Sequence, residues 1–317
     1  MFSSSFKSPF RSPFISKRSL ILDTYSGAAA AYSLRRLSRI YTGDAIVVRR
    51  SSDNAEQDIG FDANGDLDVD ALATFVGAND GYVTTWYDQS GNGNHVTQPT
   101  AAWQPHMVYN GVLETSGGLP AVNFRDSGLE YAPALVCKDE GRLNTFRTGA
   151  FGAFSVAQYQ NSLRNWQAIW APTDFQTADG CLCHQFLSNS FNKFGSHNSN
   201  LSATSVAQLT LGTPTDRYQF TLLRDDAGIN GNGSNVTGAA KSAAESISAT
   251  DEQTWSSSTS GRHPLSFQIG RQWDPATSIT SVHSWKGYIQ EVLLFEGDQS
   301  ANSAAIEDNI NNYYEVY

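Results

Sequence analysis

The stretch Thr85-Trp-Tyr-Asp-Gln-Ser-Gly-Asn-Gly-Asn94 contains both halves of the pattern that decides the fold class of this chain. Its first residues continue a strand that the sequence predicts for Tyr82–Tyr87, and the rest is rich in turn-forming residues. Asp, Ser and Asn side chains satisfy the backbone amides of a turn, while Gly91 and Gly93 allow a positive φ. A short strand closed by such a turn is typical of an antiparallel β-protein.

Short apolar runs separated by Gly, Asn and Ser recur along the rest of the chain. The further predicted strands are Ala45–Arg50, Pro120–Phe124, Phe151–Gln158, Gln167–Trp170, Arg217–Leu223, Leu265–Ile269 and Tyr288–Phe295. Many short strands without alternating helices favour an antiparallel sandwich over a doubly wound sheet. We therefore predict an all-β fold, an antiparallel jelly-roll sandwich with a few short peripheral helices.

Three helices are predicted outside the strands. Ala28–Ile40 begins with alanines and has an imperfect amphipathic pattern. A second, short helix is predicted up to Val76, because Asp68 is a suitable N-cap and Gly77 a suitable terminator. The third is a terminal helix within Ser300–Tyr314.

The composition is that of a globular β-rich chain, with 40% hydrophobic and only 16% charged residues. A formal net charge of −10 argues against nucleic acid and against an anionic membrane surface as partners. No stretch reaches the ~18 apolar residues that span a bilayer, and the first residues do not form a secretory signal. The closely spaced Arg49, Arg50 and Asp53 are interpreted as a buried structural ion-pair network.

Candidate metal ligands are few, and no cofactor is predicted. The sequence has three cysteines, Cys137, Cys181 and Cys183, and an odd number does not indicate a full disulfide framework. These residues are better explained as ordinary thiols than as zinc ligands. Closely spaced oxygens suit a calcium ion, so the weak candidates for calcium ligands are Asp62, Asn64, Asp66 and Asp88. The spacing of glycine and acidic residues departs from a calcium loop, however, and structural turns are the preferred interpretation.

The first 22 residues differ from the rest of the chain. Lys7-Ser-Pro-Phe10 and Arg11-Ser-Pro-Phe14 form a tandem repeat, and the prolines favour an extended conformation. One interpretation is a disordered terminus. The other is a docking arm that inserts Phe6, Phe10 and Phe14 into a partner, with Lys7 and Arg11 suited to an acidic surface. We predict an extended arm at 1–22 and a single domain at 23–317.

Three segments together resemble a known family. They are Tyr32–Gly43, Val48–Asp53 with Asp58–Gly60, and Thr85–Asn94, and they resemble the opening of the catalytic domain of fungal alpha-L-arabinofuranosidase B. The same signature occurs in concanavalin A-like domains of bacteriophage structural proteins. The closing stretch Trp285–Phe295 resembles the last strand of laminin-G-like jelly rolls. The resemblance implies a concanavalin A-like jelly roll over residues 28–317.

The catalytic residues of the arabinofuranosidase family are not carried over by this resemblance. The family's nucleophile is a Glu in an Asp-Leu-Glu-Asn-Gly stretch, and this sequence has no such stretch. The family's acid is an Asp shortly after Ile-Gly-Gly, where Ile269-Gly-Arg-Gln-Trp-Asp274 places Gln272 instead. A glutamine cannot act as an acid, and Asp274 lies two residues further on. The family's vicinal cysteines are also absent, so the resemblance implies the fold without the activity.

Two functional hypotheses follow. The first is a non-enzymatic bacteriophage virion protein, either a tail adhesin or fibre or a capsid-surface decoration protein, located in the virion. It would attach to other virion proteins through residues 1–22, form a homo-oligomer on the particle and present a lectin-like domain to glycans. The second is an arabinofuranosidase-type glycoside hydrolase or a secreted carbohydrate-binding module. In either case the candidate sugar-stacking residues are Trp166, Trp170, Trp255, Trp273 and Trp285.

Overall fold

Most of the regular structure in the described chain consists of antiparallel strands. The computed structural model describes residues 19–125, 133–137, 149–160, 167–172, 184–186, 193–197, 205–225, 233–253, 267–271 and 284–317. The first strands are β1 (Ala28–Ser33), β2 (Ile46–Arg50), β3 (Glu56–Ile59), β4 (Gly81–Trp86), β5 (Val96–Thr97), β6 (His106–Tyr109), β7 (Val112–Leu113), β8 (Thr115–Ser116), β9 (Leu119–Pro120), β10 (Val122–Asn123) and β11 (Leu135–Cys137).

The remaining strands are β12 (Phe151–Tyr159), β13 (Ala168–Pro172), β14 (His184–Phe186), β15 (Lys193–His197), β16 (Ser205–Thr210), β17 (Arg217–Arg224), β18 (Ser234–Lys241), β19 (Ser246–Gln253), β20 (Phe267–Ile269) and β21 (Gly287–Glu296). The helices are α1 (Ile21–Thr24), α2 (Val69–Val76) and α3 (Ser303–Tyr314). In the described part of the chain no helix is long and apolar enough to cross a membrane.

The strands form two layers. The first layer has the order β19–β18–β17–β12–β21, and both β1 and β10 pair with the free side of β21. The second layer contains β3–β2–β4, continues from β4 through β5 to β11, and then follows β20–β13–β14–β15–β16. A single pairing between β10 and β6 links the layers at one edge. This antiparallel arrangement confirms the predicted all-β sandwich, while its jelly-roll type stays a prediction.

The two layers enclose the main hydrophobic core. Tyr32 of β1 stacks on Phe267 of β20 with 6.1 Å between ring centroids, and it meets Trp86 of β4 edge-on at 6.2 Å. All three side chains belong to one buried cluster that draws residues from both layers. Aromatic pairs of this kind add stability beyond the area they bury, and here they fix one layer against the other.

The first layer is buried on both faces. In β21, Val292 and Leu294 point into the main core, while Leu293 and Phe295 belong to a second cluster on the opposite face. That second face is covered by the terminal helix α3, whose buried residues are Ile306, Glu307, Ile310, Tyr313 and Tyr314. The second cluster also contains Ile21 of α1, which is fully buried. Ile21 falls within the predicted arm, so the packed body includes the end of that segment.

The predicted helix at Ala28–Ile40 is wrong. Ala28–Ser33 is strand β1, which pairs with β21 from Ala28↔Phe295 to Ser33↔Glu291. Because β1 is buried on both faces, its apolar residues do not alternate with polar ones. A continuous apolar run of this length does not distinguish a buried strand from a helix. The helix predicted after Asp68 is confirmed, with Asp68 Oδ1 accepting from Ala71 N at 2.9 Å and Gly77 at φ 62°.

A buried ion pair joins β1, β21 and α3. Arg35 binds Glu291 in a bidentate manner, with Nε–Oε2 at 2.8 Å and Nη2–Oε1 at 2.9 Å, and neither residue is more than 4% exposed. Ser33 Oγ donates to Glu291 Oε2 at 2.7 Å, and Tyr314 Oη lies 3.2 Å from that oxygen. The guanidinium also lies 4.9 Å from the ring centre of Tyr313. Burial lowers the pKa of Arg35, but the Glu291 carboxylate more than offsets this and the net pKa is raised.

The predicted network of Arg49, Arg50 and Asp53 lies instead at the surface. Arg50 does pair with Asp53 at 2.6 Å, but the two side chains are 28% and 48% exposed. Arg49 binds Gln104 and Asn54. The interpretation of a buried network is therefore wrong, because three charged residues close in sequence carry no information about depth.

We expect Glu291→Gln to lower the free energy of unfolding by about 3–5 kcal/mol, because it leaves the Arg35 guanidinium buried without its counter-ion. The matched control is Asp53→Asn, which removes the charge from an exposed pair and should cost less than about 1 kcal/mol. Urea denaturation of both variants at neutral pH measures the difference. Equal small losses in the two variants would contradict the role given to the buried pair.

A second prediction concerns pH. His106 in β6 is buried against Tyr82, with 4.6 Å between ring centroids, and burial followed by the charge of Arg125 lowers its pKa from 6.5 to about 4. Below pH 6.5 the unfolded chain binds a proton at this residue and the folded chain does not. The free energy of unfolding should therefore fall as the pH decreases from 6.5 towards 4, by about 3 kcal/mol at most.

The pH dependence is measured by thermal unfolding between pH 4 and 7 for the wild type and for His106→Gln, which should show a smaller slope. Identical slopes for the wild type and His106→Gln would show that other groups cause the pH dependence.

Candidate functional site

The loop at residues 88–94 is built around one buried carboxylate. Asp88 is 1% exposed, and its Oδ1 accepts from Ala31 N at 2.8 Å and from Ser90 N at 2.9 Å. Its Oδ2 accepts from Ser90 Oγ at 2.7 Å and from Asn94 N at 3.0 Å. Four donors satisfy this carboxylate, so it holds the loop and does not face a ligand.

Gln89 connects the loop to the chain that follows β1. Its Nε2 donates to the carbonyl oxygens of Ser33 and Arg35, both at 3.0 Å, and its Oε1 accepts from Leu37 N at 2.9 Å. The residue is 2% exposed. Both amide hydrogens and the carbonyl oxygen of this buried side chain are therefore used to position backbone next to the buried ion pair.

Two asparagines attach the loop to the start of β1. Asn92 Nδ2 donates to the carbonyl oxygens of Ala28 at 2.9 Å and Ala29 at 3.1 Å, and Asn94 Nδ2 donates to Ala29 O at 2.7 Å. The loop can approach this closely because Gly91 and Gly93 take positive φ angles of 89° and 75°. The glycine angles and the turn amides bound by Asp88 and Ser90 are those that the sequence predicts, whereas the contacts of Asn92 and Asn94 with β1 were not predicted.

A polar groove lies between this loop and the N-terminal segment. Its volume is about 640 Å³, and we call it the 25–94 groove. Its lining consists of Leu22 and Tyr25, the backbone of residues 27–29, and the polar side chains of Ser26, Ser90, Asn92, Asn94 and Glu296. Glu296 supplies the one charged group in this lining, at the end of β21. The groove therefore combines an aromatic ring, hydroxyls, amides and a carboxylate.

The weak calcium candidates form a turn. Asp62 Oδ1 accepts from Asn64 N at 2.8 Å and from Asp66 N at 2.9 Å, and Asp66 Oδ1 accepts from Tyr313 Oη at 2.7 Å. Asp88 is saturated as described above. Within the described residues, no group of three or more His, Cys, Asp or Glu side chains is arranged to hold a metal ion.

Two of the predicted sugar-stacking tryptophans belong to the core. Trp170 is 2% exposed and packs on Phe267, while Trp285 is 1% exposed and packs edge-on against Tyr159 at 5.8 Å. Neither ring presents a face to a surface ligand, because each fills space between the two layers. The other three candidates, Trp166, Trp255 and Trp273, lie outside the described residues, as do Phe6, Phe10, Phe14, Lys7 and Arg11 of the predicted arm.

The carboxylates that a glycosidase would need are only partly within the described chain. Asp225, just after β17, is used structurally: its Oδ1 accepts from Asn235 N at 2.9 Å and its Oδ2 from Asn235 Nδ2 at 2.8 Å. Asp226, Gln272 and Asp274 lie outside the described residues. The groove and its loop were missed as a site by sequence reasoning, although the Thr85–Asn94 stretch that builds them was singled out.

Comparison with known proteins identifies the class that this scaffold resembles. The model of the family "Alpha-L-arabinofuranosidase B, catalytic" matches residues 23–115, which include β1 to β7 and the loop at 88–94. No curated protein matches the sequence.

Solved structures of the same class share the fold. A GH54 arabinofuranosidase soaked with a cyclic sulfate inhibitor aligns with a TM-score of 0.59 at 16% sequence identity, covering 89% of this chain and 62% of that one. A mutant GH54 arabinofuranosidase soaked with 4-nitrophenyl α-L-arabinofuranoside gives a TM-score of 0.61, again at 16% identity over 89% and 62%. The chain thus spans 62% of the length of these structures.

These findings overturn the virion hypothesis. The family match and the structural matches concern arabinofuranosidases, and none of them concerns a phage tail fibre, adhesin or capsid decoration protein. The hypothesis gave most weight to the repeat in residues 1–22 and to the missing catalytic motifs. It was wrong, and the findings favour the alternative, an arabinofuranosidase-type glycoside hydrolase.

We expect EDTA to leave the melting temperature unchanged, because the carboxylates of Asp62 and Asp88 already accept hydrogen bonds from the protein. Asp88→Ala should lower the free energy of unfolding by at least ~3 kcal/mol, since it leaves several buried donors unsatisfied. Asp62→Ala, in a partly exposed turn, is the matched control and should cost about 1 kcal/mol. A fall in melting temperature with EDTA that calcium reverses would show that one of these carboxylates binds metal.

Proposed function

We propose that this chain is an arabinofuranosidase-type glycoside hydrolase domain that cleaves α-L-arabinofuranosyl units from a glycan. The observation that carries the proposal is the family-model match over residues 23–115. The matched residues include Asp88, Gln89 and Asn94, each of which is buried and has a defined hydrogen-bonding role. The matched segment thus includes the loop at 88–94, whose conformation depends on the hydrogen bonds of these side chains.

The sandwich suits this reaction because its rigid layers can carry catalytic groups on the connections between strands. Glycoside hydrolysis requires two carboxyl groups, about 5–5.5 Å apart in a retaining enzyme and about 6.5–9.5 Å apart in an inverting one. The long central strands are fixed against each other, because β12 pairs along its whole length with β21 and from Phe151 to Gln158 with β17. Strands held in this way supply the rigid support that such a pair needs.

Asp226 and Asp274 are the carboxylates that we assign to the reaction. Asp226 follows Asp225, whose own carboxylate is occupied by Asn235. Asp274 follows the end of β20 and stands two residues after Gln272, which occupies the position of the family's acid in the sequence. An acid in this role protonates the leaving-group oxygen, and its partner carboxylate attacks the sugar or activates water.

The test is hydrolysis of 4-nitrophenyl α-L-arabinofuranoside, followed by release of 4-nitrophenol. We expect turnover by the wild type and a loss of at least ~100-fold in Asp226→Asn and in Asp274→Asn, the usual contribution of an acid or base. The matched control is Asp225→Asn, the same substitution one residue away, which should retain activity. Absence of wild-type turnover on this and other aryl glycosides would refute the hydrolase proposal.

A second candidate function, arabinofuranosyl binding without hydrolysis, is favoured by one specific observation. Gln272 stands where the family has its acid, and an amide cannot donate the proton that the leaving group requires. Saturable binding of arabinofuranosides combined with no turnover would support this function over the first.

A further inference from the structure

We propose that the chain forms a symmetric homodimer in which strand β19 pairs with the β19 of a second copy across a two-fold axis. The interface is the outer edge of β19 (Ser246–Gln253), the last strand of the first layer. The inference concerns assembly, so it goes beyond the proposed hydrolysis and does not depend on it.

β19 has one bonded edge and one open edge. It pairs with β18 along its whole length, and no other strand of the described chain pairs with it. In the turn that joins the two strands, Ser242 N donates to Glu245 O at 2.8 Å. Because bonded and non-bonded pairs alternate in an antiparallel ladder, every second residue of β19 directs its N–H and C=O away from β18. These residues are Ser246, Ser248, Thr250 and Glu252, and all four are exposed.

Three other outer strands carry features that prevent pairing with another molecule. The second edge of β1 is bonded by the loop at 88–94. β3 has only four residues, of which Glu56 and Asp58 are charged and exposed. β16 is interrupted by Ala207, which has a φ of +53° although it is not a glycine. Covered edges, short strands, charge and irregular backbone are the usual protection of an edge strand.

β19 lacks this protection over most of its length. It spans eight residues, its register with β18 has no shift, and it contains neither a proline nor a basic residue. Its two charged residues, Asp251 and Glu252, lie together near its end, and Asp251 Oδ2 accepts from Ala207 N of β16 at 2.6 Å. The regular, uncharged edge from Ser246 to Thr250 is therefore available to another strand.

A second β19 satisfies this edge in one register. When Ala249 faces Ala249 of the second copy on the two-fold axis, Ser248 faces Thr250 and Ser246 faces Glu252. Each of these pairs occurs twice, so all four outward-facing residues form backbone hydrogen bonds with the second copy. A shift of two residues in either direction removes one bonded pair from the strand.

The charges favour the same register. Asp251 then lies opposite Ile247 of the second copy, and Glu252 lies opposite Ser246, so neither carboxylate faces another one. A shift of two residues towards the turn would place Glu245 opposite Asp251, and like charges directly opposite each other are destabilising. The edge of β19 is thus complementary to itself, as a closed two-fold interface requires.

The experiment is sedimentation velocity of the full chain over a range of concentrations, where we expect a dimer that dissociates on dilution. Ser248→Pro removes an outward N–H that β18 does not use. It should weaken dimerisation at least tenfold, equivalent to about 1.4 kcal/mol, and leave the melting temperature nearly unchanged. The matched control is Ser248→Ala, which keeps the N–H at the same position and should dimerise like the wild type.

Ser246→Glu tests the register. This exposed substitution places a carboxylate opposite Glu252 of the second copy at both ends of the interface. Dimerisation should therefore weaken at low salt and recover in part as the salt concentration rises. Ala243→Glu adds the same charge in the exposed turn before β19 and should change dimerisation little.

A wild type that sediments as a monomer at every concentration would overturn the proposal. So would a dimer that neither Ser248→Pro nor Ser246→Glu weakens while their melting temperatures match the wild type, and assemblies larger than a dimer would contradict the closed two-fold arrangement. Turnover of 4-nitrophenyl α-L-arabinofuranoside is a separate measurement. Its absence refutes the hydrolase and not the dimer, whereas a monomer with turnover refutes only the dimer.

Discussion

The buried ion pair between Arg35 and Glu291 is the interaction on which the arrangement of the first layer depends. It stands where β1 ends beside β21, and Ser33 and Tyr314 complete the hydrogen bonds of the Glu291 carboxylate. Taking two charges out of water is costly, so a pair of this kind contributes specificity more than net stability. Any other register of β1 on β21, or any other position of α3, would leave one of the two charges buried and unpaired. The pair therefore selects one packing of strand, strand and helix among several that apolar burial alone would permit.

The loop at 88–94 depends on the same constraint. With β21 on one side, β1 has a second edge whose backbone groups need partners. Asp88 supplies an acceptor for Ala31 N, and Asn92 and Asn94 supply donors for the carbonyl oxygens at the start of the strand. Gln89 then donates to Arg35 O, which links the loop directly to the residue that forms the ion pair. The 25–94 groove lies where this network meets α1 and the end of β21.

Sequence patterns predicted those parts of the molecule that depend on local chemistry. Turn residues indicated the loop at 88–94, and Asp68 and Gly77 indicated α2. Short apolar runs indicated eight strands, namely β2, β4, β10, β12, β13, β17, β20 and β21, but not β18 or β19. The wrong or missing predictions concern how deeply a segment is buried and which residues far apart in the sequence are in contact. Ala28–Ser33 could not be assigned as a strand because burial on both faces removes the alternation. Glu291, the partner of Arg35, lies 256 residues further along the chain. The local sequence therefore does not show that Arg35 forms a buried ion pair while Arg50 forms only a surface pair with the nearby Asp53. The groove was missed for the same reason: it joins residues from α1, the loop and β21.

The stretch that relates this chain to arabinofuranosidases most specifically is also the stretch with the least room for catalysis. Its carboxylate is saturated by four donors and its amides bind backbone, so its residue types are required by the fold, whatever reaction the domain performs. Chemistry on such a scaffold depends on side chains that the fold does not use, and the two carboxylates that we propose for the reaction, Asp226 and Asp274, lie beyond the matched segment. The family match over this segment therefore bears on the scaffold, and the reaction has to be tested at carboxylates outside it.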